Sequence, residues 1–485
     1  MKKIKELISE KEILQIVGDF ELFVSAIHFD SRQVTPNSLF VAIKGVDKDG
    51  GEFIESALEK GATAIICETM PLNTKSGITY IAVKDSHEAL AQIAQNFYDN
   101  PSQKIKLVGV TGTNGKTTTV TLLFNLFREL GFHTALLSTI ENKIDDEVFP
   151  ATHTTPDPVQ LASFLSQAVK RGCQYAFMEC SSHAIHQKRT FGLRFALAIF
   201  TNLTHDHLDY HKTLEAYADA KKELFDELES ETFALANSDD EKAEYVLSST
   251  KARKYFFSLN NPSADFYGQT VSQSLSGSIL SINQKIVKTK LAGKFNTYNT
   301  LGVFGTTLLL GIEEKKIIDS LAKLSPPKGR LEFIKSPSDI YAVVDYAHSP
   351  DALENVLKML SELKTGKTKI ITVVGCGGDR DKTKRPVMGE IAVRFSDYVF
   401  FTSDNPRSED PEKILRDITE NLNGKNYECV VDRTLAISKA CSFAQSGDMV
   451  LVAGKGHETY QIFDGKTLHF SDQEEIMKNF TLITK

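Results

Sequence analysis

A glycine-rich segment between an apolar run and an amphipathic stretch limits what this chain can fold into more than any other feature. Residues 105–110 form an apolar run typical of a buried strand, and apolar residues recur at helical spacing through 120–130. The segment between them reads Thr111-Gly112-Thr113-Asn114-Gly115-Lys116-Thr117-Thr118. A strand, a glycine-rich loop and a helix in this order predict an α/β sheet with a phosphate-binding loop at its carboxyl edge.

The composition of this loop predicts ATP or GTP binding. Its glycines allow successive backbone N–H groups to converge on phosphate oxygens, and the helix N-terminus adds positive potential. Lys116 can reach the β- and γ-phosphates, and Thr117 can ligate Mg²⁺. The strict G-x-x-x-x-G-K-[ST] pattern has glycine where this chain has Val110, and an ordinary glycine-rich turn is the alternative interpretation.

Length and turn-forming segments predict three domains. The chain has 485 residues, which is more than one hydrophobic core usually holds. Residues that halt helices and strands cluster at 100–102 and 325–329. We therefore predict domains at 1–103, 104–328 and 329–485. The first is expected to be a small α/β unit, the second a mostly parallel sheet like that of P-loop ATPases, and the third a doubly wound, Rossmann-like α/β unit.

Charge and cysteine content narrow the class of protein. The net charge of -7 at pH 7 disfavours a nucleic-acid partner. The six cysteines include no C-x-x-C pair, so a reducing compartment fits better than a disulfide framework or a zinc ribbon. The N-terminus is charged, and no stretch approaches about 20 apolar residues. We expect a cytoplasmic protein without a membrane partner.

Polar residues follow two further strands of the predicted central sheet. Glu179 follows the apolar run 175–178, so its carboxylate is expected beside the phosphate loop as a Mg²⁺ ligand; the start of a solvated loop is the alternative. The polar cluster at 181–189 that follows is suited to holding a substrate. Residues 202–211 include three histidines and two aspartates, which suggests metal or phosphate chemistry, with a hydrogen-bonded loop as the alternative.

Three polar segments of the third predicted domain lie at the ends of predicted elements. They are residues 329–332, 345–350 and 404–407. Basic residues in them could face a nucleotide or an acidic substrate across a cleft from the phosphate loop. Each segment could equally be a turn or a helix cap.

Taken in order over nearly the whole chain, these motifs resemble those of the Mur ligase family. The series also includes Asp30-Ser31-Arg32, Leu39-Phe40-Val41-Ala42, His153-Thr154-Thr155-Pro156, Gly293-Lys294-Phe295-Asn296-Thr297-Tyr298-Asn299, Gly377-Gly378-Asp379-Arg380-Asp381-Lys382 and Gly454-Lys455-Gly456-His457-Glu458. The resemblance implies an enzyme of peptidoglycan precursor synthesis. Such an enzyme would join UDP-N-acetylmuramoyl-L-alanyl-D-glutamate, here called the UDP-muramoyl dipeptide, to a diamino acid while ATP becomes ADP and phosphate.

The resemblance also implies the chemistry and the groups that carry it. The γ-phosphoryl group would pass to the substrate carboxylate, and the amine would then displace phosphate from the acyl phosphate. Two Mg²⁺ ions would take part. A lysine after residues 202–211, here called the histidine-rich loop, is carbamylated by CO₂ in the family. The spacing favours Lys221 over Lys222. The implied catalytic residues are Lys116, Glu179, His207 and Lys221, and the implied metal ligands are Thr117, Glu179, His207 and the carbamate of Lys221.

Binding residues follow from the same resemblance. Those implied for ATP are Gly112, Thr113, Asn114, Gly115, Lys116, Thr117, Thr118, Asn296, Asn299, Arg330 and Asp345. Those implied for the UDP-muramoyl dipeptide are Ser31, Val46, Asp47, Lys48, Thr154, Thr155, Ser181, Gln187 and Arg189. Those implied for the diamino acid are Arg380, Asp404, Asn405, Pro406, Arg407, Gly454 and Glu458.

Arg407 predicts which diamino acid is used. Meso-diaminopimelate has one carboxylate more than lysine, and Arg407, with Arg380 as a second cation, can pair with it. Family members that add lysine usually lack this arginine, so the resemblance agrees. Alternatively, Arg407 only flanks a helix that begins near residue 410. The alternative functions are the lysine-adding ligase of the family, a folate-polyglutamate type of ligase, a P-loop ATPase or regulatory nucleotide-binding protein, and a binding-only descendant. We expect a monomer.

Overall fold

Three large β-sheets follow one another along the chain, and each is built from its own stretch of sequence. The computed structural model describes residues 1–45, 49–151, 153–424 and 426–482. Strands alternate with helices in each stretch, so the predicted α/β class is confirmed. Within these described residues, no helix has both the length and the apolar composition needed to cross a bilayer.

The N-terminal region is a small α/β unit. Its strands are β1 (Lys2–Lys3), β2 (Ile13–Val17), β3 (Phe23–Val24), β4 (Ile27–His28), β5 (Ser38–Val41), β6 (Ala62–Cys67) and β7 (Thr79–Val83), and its helices are α1 (Ile54–Glu59) and α2 (Ser86–Phe97). Its main sheet has the order β2-β7-β6-β5-β4, with β2 antiparallel at one edge. Helix α2 begins at Ser86 because the Asp85 carboxylate accepts hydrogen bonds from the first backbone N–H groups of the helix.

The central region contains the largest sheet. Its strands are β8 (Lys106–Thr111), β9 (Thr134–Leu137), β10 (Asn142–Ile144), β11 (Glu147–Phe149), β12 (Tyr175–Glu179), β13 (Phe195–Phe200), β14 (Phe233–Asn237), β15 (Arg253–Ser258), β16 (Phe266–Ser274), β17 (Gly277–Ile282) and β18 (Lys285–Thr289). Its helices are α3 (Lys116–Glu129), α4 (Pro158–Lys170), α5 (Ser182–His186), α6 (Leu208–His211), α7 (Leu214–Asp226), α8 (Ala243–Val246), α9 (Lys294–Leu309) and α10 (Glu314–Leu321). The strand order is β11-β10-β9-β12-β8-β13-β14-β15-β16-β17-β18.

The position of β8 determines where the phosphate loop lies. Leu107, Val108 and Val110 of β8 are fully buried, and helix α3 packs its apolar side against the sheet. β8 pairs in parallel with β12 on one side and with β13 on the other. Because the carboxyl ends of parallel strands meet at one edge, the segments that follow β8, β12 and β13 are brought together.

Antiparallel additions at both edges of the central sheet were not predicted. They are β10 and β11 at one edge and β17 and β18 at the other. The outermost strands β11 and β18 are mostly exposed, and β10 and β17 alternate between buried and half-buried residues, which gives a weaker apolar signal than the buried parallel strands.

The C-terminal region has a second mostly parallel sheet. Its strands are β19 (Glu332–Lys335), β20 (Tyr341–Asp345), β21 (Ile370–Val374), β22 (Tyr398–Phe401), β23 (Tyr427–Cys429), β24 (Met449–Ala453), β25 (Tyr460–Phe463) and β26 (Lys466–His469). Its helices are α11 (Pro350–Leu363), α12 (Lys384–Phe395), α13 (Pro411–Thr419), α14 (Arg433–Phe443) and α15 (Asp472–Leu482). The sheet order is β19-β20-β24-β21-β22-β23, and β25 and β26 form a separate hairpin.

A buried ion pair supports the carboxyl edge of this C-terminal sheet. Arg433 donates to both carboxylate oxygens of Asp472 at 2.8 and 2.9 Å, and both side chains are fully buried. The same guanidinium donates to the carbonyls of Ser403 and Ala453. These carbonyls lie directly before Asp404 and Gly454, so the ion pair fixes the backbone of the segment predicted to bind the diamino acid.

Replacing Asp472 with alanine is expected to lower the free energy of unfolding of the C-terminal region by about 3–5 kcal/mol, because it leaves the Arg433 guanidinium buried without a counter-charge. Urea unfolding measures this change. Glu412→Ala, which breaks an exposed pair with Arg416, is the control and should cost less than about 1 kcal/mol. A loss below about 1 kcal/mol for Asp472→Ala would contradict the structural role given to the ion pair.

Candidate active site

The phosphate loop has the backbone conformation that its glycines make possible. Gly112 has a φ of +150°, and a Cβ atom at this position would lie 1.9 Å from Thr201 Oγ1. Only glycine fits there. Lys116 Nζ donates to the carbonyls of Gly112 and Thr113, both at 2.8 Å, so its ammonium lies in the hollow of the loop. Burial lowers the pKa of Lys116, and Glu179 opposes this shift.

The segment that follows β13 holds the phosphate loop in place. Asn202 accepts hydrogen bonds from the backbone N–H of Thr113, through its carbonyl at 2.8 Å, and from that of Asn114, through Oδ1 at 2.9 Å. Asn202 Nδ2 donates back to the Asn114 carbonyl at 3.1 Å. The histidine-rich loop predicted to serve the active site therefore begins in direct contact with the phosphate loop.

Glu179 lies where the sequence predicts it. It is the last residue of β12, it is paired in register with Val110, and it is 1% exposed. Thr139 donates to its two carboxylate oxygens, through the backbone N–H at 2.7 Å and the hydroxyl at 3.2 Å. A buried carboxylate therefore stands next to the strand that leads into the phosphate loop. Thr139 was not predicted as part of the site.

Helix α7 brings Lys221 close to the phosphate loop. The Tyr217 hydroxyl lies 3.2 Å from Thr113 Oγ1, and Lys221 Nζ lies 4.3 Å from the centre of the Tyr217 ring. Burial, assisted by the charge of Lys116, lowers the pKa of Lys221 well below its usual value. Lys222 instead donates to Asp226. Lys221, unlike Lys222, is thus a fully buried amine beside the phosphate loop.

His207 lies in the histidine-rich loop at the start of α6 and has a φ of +55°. Burial lowers the pKa of His207 to about 4, although Asp206 opposes the shift, so the imidazole is neutral near pH 7 and can act as a ligand. The ring of His183 packs edge-on against it at 5.0 Å. Among the described residues, no three His, Cys, Asp or Glu side chains are already arranged as a metal site.

Five residues predicted to bind the UDP-muramoyl dipeptide lie in one stretch of the central region. The backbone N–H of Ser181 donates to Thr155 Oγ1 at 3.1 Å, and Arg189 donates to the Thr155 carbonyl at 2.9 Å and to Gln187 Oε1 at 2.7 Å. Thr154 Oγ1 accepts from the Thr139 hydroxyl at 3.1 Å. The Thr139 hydroxyl also contacts Glu179, so this group adjoins the expected metal site.

The remaining predicted residues for this substrate belong to the N-terminal region. Ser31 is 8% exposed, and no hydrogen bond within the described parts of the chain joins it to the Thr154–Arg189 group. Val46, Asp47 and Lys48 lie outside the described residues.

A cleft beside the phosphate loop is lined by several of the residues predicted to bind ATP. Asn114, Gly115 and Thr118 line it on one side, and Asn296 and Asn299 of α9 line it on another. Asn299 Nδ2 donates to Asn296 Oδ1 at 3.0 Å. Aromatic rings complete the walls, from Phe257, Phe295, Tyr298 and Tyr346.

The C-terminal region reaches across this cleft through Arg330. Arg330 donates from Nη2 to Thr117 Oγ1 at 3.2 Å, and its guanidinium lies 4.4 Å from the centre of the Tyr346 ring. Asp345 accepts from the backbone N–H groups of Leu331 and Ala347 at 2.7 and 2.8 Å. Arg330 is thus positioned to approach a phosphate, whereas the Asp345 carboxylate is engaged in holding the turn that carries Arg330.

A second contact between the two regions was not predicted. The Asp351 carboxylate, in the first turn of α11, accepts from Asn114 Nδ2 at 2.9 Å and from Thr204 Oγ1 at 3.3 Å. The Asn114 side chain, which was predicted to bind ATP, therefore contacts Asp351 here. Burial raises the pKa of Asp351, and the hydroxyl of Thr204 opposes the shift.

The residues predicted for the diamino acid meet at the carboxyl edge of the C-terminal sheet. Asp404 and Asn405 are 7% and 3% exposed, and a Cβ atom on Gly454 would lie 2.7 Å from Asp404 Oδ2. Pro406 is buried behind them. Asn405 Nδ2 donates to Glu458 Oε2 at 2.9 Å. These two carboxylates, from Asp404 and Glu458, form an acidic site that can receive an ammonium group.

Two arginines lie near Gly377, in the segment that follows β21. Arg407 is half-buried and donates from Nη1 to the Gly378 carbonyl at 2.7 Å. Arg380 is exposed, and its Cγ lies 3.7 Å from where a Cβ atom on Gly377 would be, while Arg407 Nη1 lies 2.9 Å from the same point. The Arg407 guanidinium and the side-chain stem of Arg380 therefore both lie close to Gly377.

Three family models match the chain in sequence order. They are the "Mur ligase family, catalytic domain" at residues 24–98, the "Mur ligase middle domain" at 110–307 and the "Mur ligase, glutamate ligase domain" at 329–456.

Full-length relatives and a solved structure agree with these models. A protein of Cytophaga hutchinsonii named UDP-N-acetylmuramoyl-L-alanyl-D-glutamate--2,6-diaminopimelate ligase is 50% identical over 97% of both chains. A protein of the same name from Bacteroides fragilis is 47% identical over 99% of both chains. A solved structure of a ligase of that name covers 100% of this chain and 99% of its own, with a TM-score of 0.72 and 32% identity. The chain belongs to the Mur ligase family.

Proposed function

We propose that this enzyme adds meso-2,6-diaminopimelate to the UDP-muramoyl dipeptide, with conversion of ATP to ADP and phosphate, in cytoplasmic peptidoglycan precursor synthesis. The observation that carries this proposal is an acidic site, formed by Asp404 and Glu458, with the guanidinium of Arg407 in the same segment. The far end of diaminopimelate bears one ammonium and one carboxylate. Lysine has only the ammonium there, so it would leave the Arg407 guanidinium without a carboxylate partner.

The reaction begins with transfer of the γ-phosphoryl group of ATP to the terminal carboxylate of the dipeptide. The Lys116 ammonium, which lies in the phosphate loop, would attract the phosphate oxygens as charge develops. Arg330 would reach the same oxygens from the other side of the cleft. The neutral amine of diaminopimelate then attacks the acyl carbon, the C–O bond to phosphate breaks as the amide C–N bond forms, and the proton lost by the nitrogen leaves with the phosphate. Contacts between the regions, such as that of Asn114 with Asp351, would exclude water from the acyl phosphate.

The residues at the sheet edge fit two Mg²⁺ ions and a carbamate. Glu179 and Thr117 supply buried oxygen donors of the kind that Mg²⁺ prefers. Lys221 is a buried amine with a lowered pKa, and a neutral amine is the form that reacts with CO₂. Thr117 and Glu179 would hold one ion, and Glu179, His207 and carbamylated Lys221 the other. Bound Mg²⁺ would neutralise the oxygens of the transferring phosphoryl group.

The organisation of the protein is also part of the proposal. We place domain boundaries near residues 103 and 328, which separate the three sheets. The N-terminal domain, including Ser31 and 46–48, would bind the UDP-sugar portion of the substrate. We propose a cytoplasmic monomer.

Arg407→Ala is expected to raise the KM for meso-diaminopimelate by about 100-fold, because the carboxylate loses a bidentate cation. The KM for ATP should stay within about twofold. Steady-state kinetics with each substrate varied in turn measures both values. Arg416→Ala, at an exposed site on α13, is the matched control and should change neither. An unchanged KM for diaminopimelate in Arg407→Ala would show that Arg407 only flanks α13 and does not bind the substrate.

The dependence of ADP release on each substrate tests the ligase function against a nucleotide-driven switch. With ATP, the dipeptide and meso-diaminopimelate all present, ADP and tripeptide should form in equal amounts. Omitting either the dipeptide or the diamino acid should stop steady ADP release. Release at the full rate without them would refute ligation and favour a P-loop ATPase.

A further inference from the structure

A fully buried lysine with no predicted role lies at the centre of the diamino-acid site. Lys455 is 0% exposed, and its Nζ donates to Glu458 Oε2 at 2.9 Å and to Asn405 Oδ1 at 3.1 Å. Asp404 Oδ1 lies 3.9 Å from the same ammonium. One buried cation therefore contacts every polar side chain of the acidic site.

These contacts fix the orientation of the Asn405 amide. Its Oδ1 accepts from Lys455 Nζ and from the backbone N–H of Ile462 at 3.0 Å, so Nδ2 must face Glu458. Glu458 Oε2 is then bound twice, by Lys455 and by Asn405. Asn405 has thus used its amide oxygen and one amide hydrogen within the protein, so it supports the site and keeps one N–H for a ligand.

The same contacts leave a defined set of acceptors for a ligand. Within the described residues, no hydrogen bond is donated to Glu458 Oε1 or to the carboxylate oxygens of Asp404. Asp404 is 7% exposed, so water can reach it only in part. None of these oxygens is among the fully buried polar atoms of the described residues that lack a partner, so a ligand can reach them from the solvent side. Three carboxylate oxygens are therefore available to the donors of an ammonium group.

The charges of the site point to the same ligand. Two carboxylates so close together and so little exposed would repel each other without a cation between them. Lys455 supplies that cation and leaves one net negative charge between Asp404 and Glu458. One ammonium group balances this charge.

The backbone around Lys455 is held independently of its side chain. The N–H of Gly454 donates to the Asp345 carbonyl at 3.1 Å, at the end of β20. A Cβ atom on Gly456 would lie 2.6 Å from the Gly329 carbonyl, so this turn packs directly against the connection to the central region. Removing the Lys455 side chain should therefore release Glu458 and Asn405 without moving the main chain.

We propose that Lys455 is a positioning residue for the incoming diamino acid. It holds Glu458 and Asn405 so that the free oxygens of Glu458 and Asp404 face the ammonium at the far end of meso-diaminopimelate. This inference rests on the proposed function, because the ammonium is that of the proposed substrate. Lys455 acts through its neighbours and need not touch the reacting atoms.

The test compares kinetic constants of Lys455→Met with those of the unaltered enzyme. Methionine keeps the length of the side chain and removes its charge. The KM for meso-diaminopimelate should rise at least about 30-fold, because the acceptors lose their fixed orientation. The KM for ATP should stay within about twofold, and kcat at saturating diaminopimelate within about tenfold. Lys466→Met, at an exposed position of β26, is the matched control and should behave as the unaltered enzyme does.

A second variant keeps the test decisive if Lys455→Met does not fold. Asn405→Ala removes the amide that Lys455 orients, and it should also raise the KM for diaminopimelate while leaving the KM for ATP near normal. If a folded variant keeps its KM for diaminopimelate within threefold, the positioning role is refuted while the proposed function stands. If the unaltered enzyme does not use diaminopimelate at all, both the proposed function and the positioning role of Lys455 are refuted.

Discussion

Lys116→Ala is expected to reduce kcat at least about 1,000-fold. The Lys116 ammonium is held by two carbonyls of the phosphate loop, and in the proposed function it would lie beside the phosphate oxygens of ATP. Losing a preorganised cation at a transferring phosphoryl group removes roughly 4 kcal/mol of transition-state stabilisation. The rate of ADP formation at saturating substrates measures the effect.

The fold of this variant must be shown to be intact for the result to count. Lys251→Ala, at an exposed position, is the control and should retain full activity. Thermal unfolding of Lys116→Ala should match that of the control. Turnover within about tenfold of the unaltered enzyme, which corresponds to ~1.4 kcal/mol, would contradict the role given to Lys116.

Lys221→Ala is expected to be inactive, with kcat reduced at least about 1,000-fold, and to regain part of its activity with a short carboxylic acid. The substitution removes the amine that would carry the carbamate and leaves space in a buried site. Formate or acetate could enter this space and replace the carbamate oxygens at the metal. ADP release measured over a series of acid concentrations tests the rescue.

Lys222→Ala is the matched control, because Lys222 is adjacent in sequence but is bound to Asp226. It should retain near-normal activity and show no response to the acids. Full activity of Lys221→Ala with unchanged Mg²⁺ dependence would exclude a carbamate at this residue. An inactive Lys221→Ala that no short acid restores would argue that the amine itself is needed.

The parallel core of the central sheet was predictable because its signals are local. The buried strand β8, the glycine-rich loop and the periodic helix α3 follow one another without interruption. Glu179 could be placed at the sheet edge because it directly follows the apolar run that forms most of β12. The strands β16 and β18, whose residues are mostly exposed, gave no comparable signal. Their pairing is determined by tertiary contacts with neighbouring strands.

The support of the site depends on residues far apart in sequence, and this part was not predicted. Lys455 and Asn405 are separated by 50 positions, and Asn114 and Asp351 by 237. Lys455 stands inside a recognised motif, yet only its complete burial among Asn405 and the two carboxylates indicates what it does. The individual site residues remain predictions that the variants above test.

The most direct test of the proposed function is a competition between diamino acids. The unaltered enzyme is given ATP, Mg²⁺, the UDP-muramoyl dipeptide and equal concentrations of meso-diaminopimelate and L-lysine, and the tripeptide products are separated by mass. The pairing of Arg407 with the acidic site predicts at least about 100-fold more diaminopimelate product than lysine product. Equal amounts of the two products, or lysine product alone, would contradict the account.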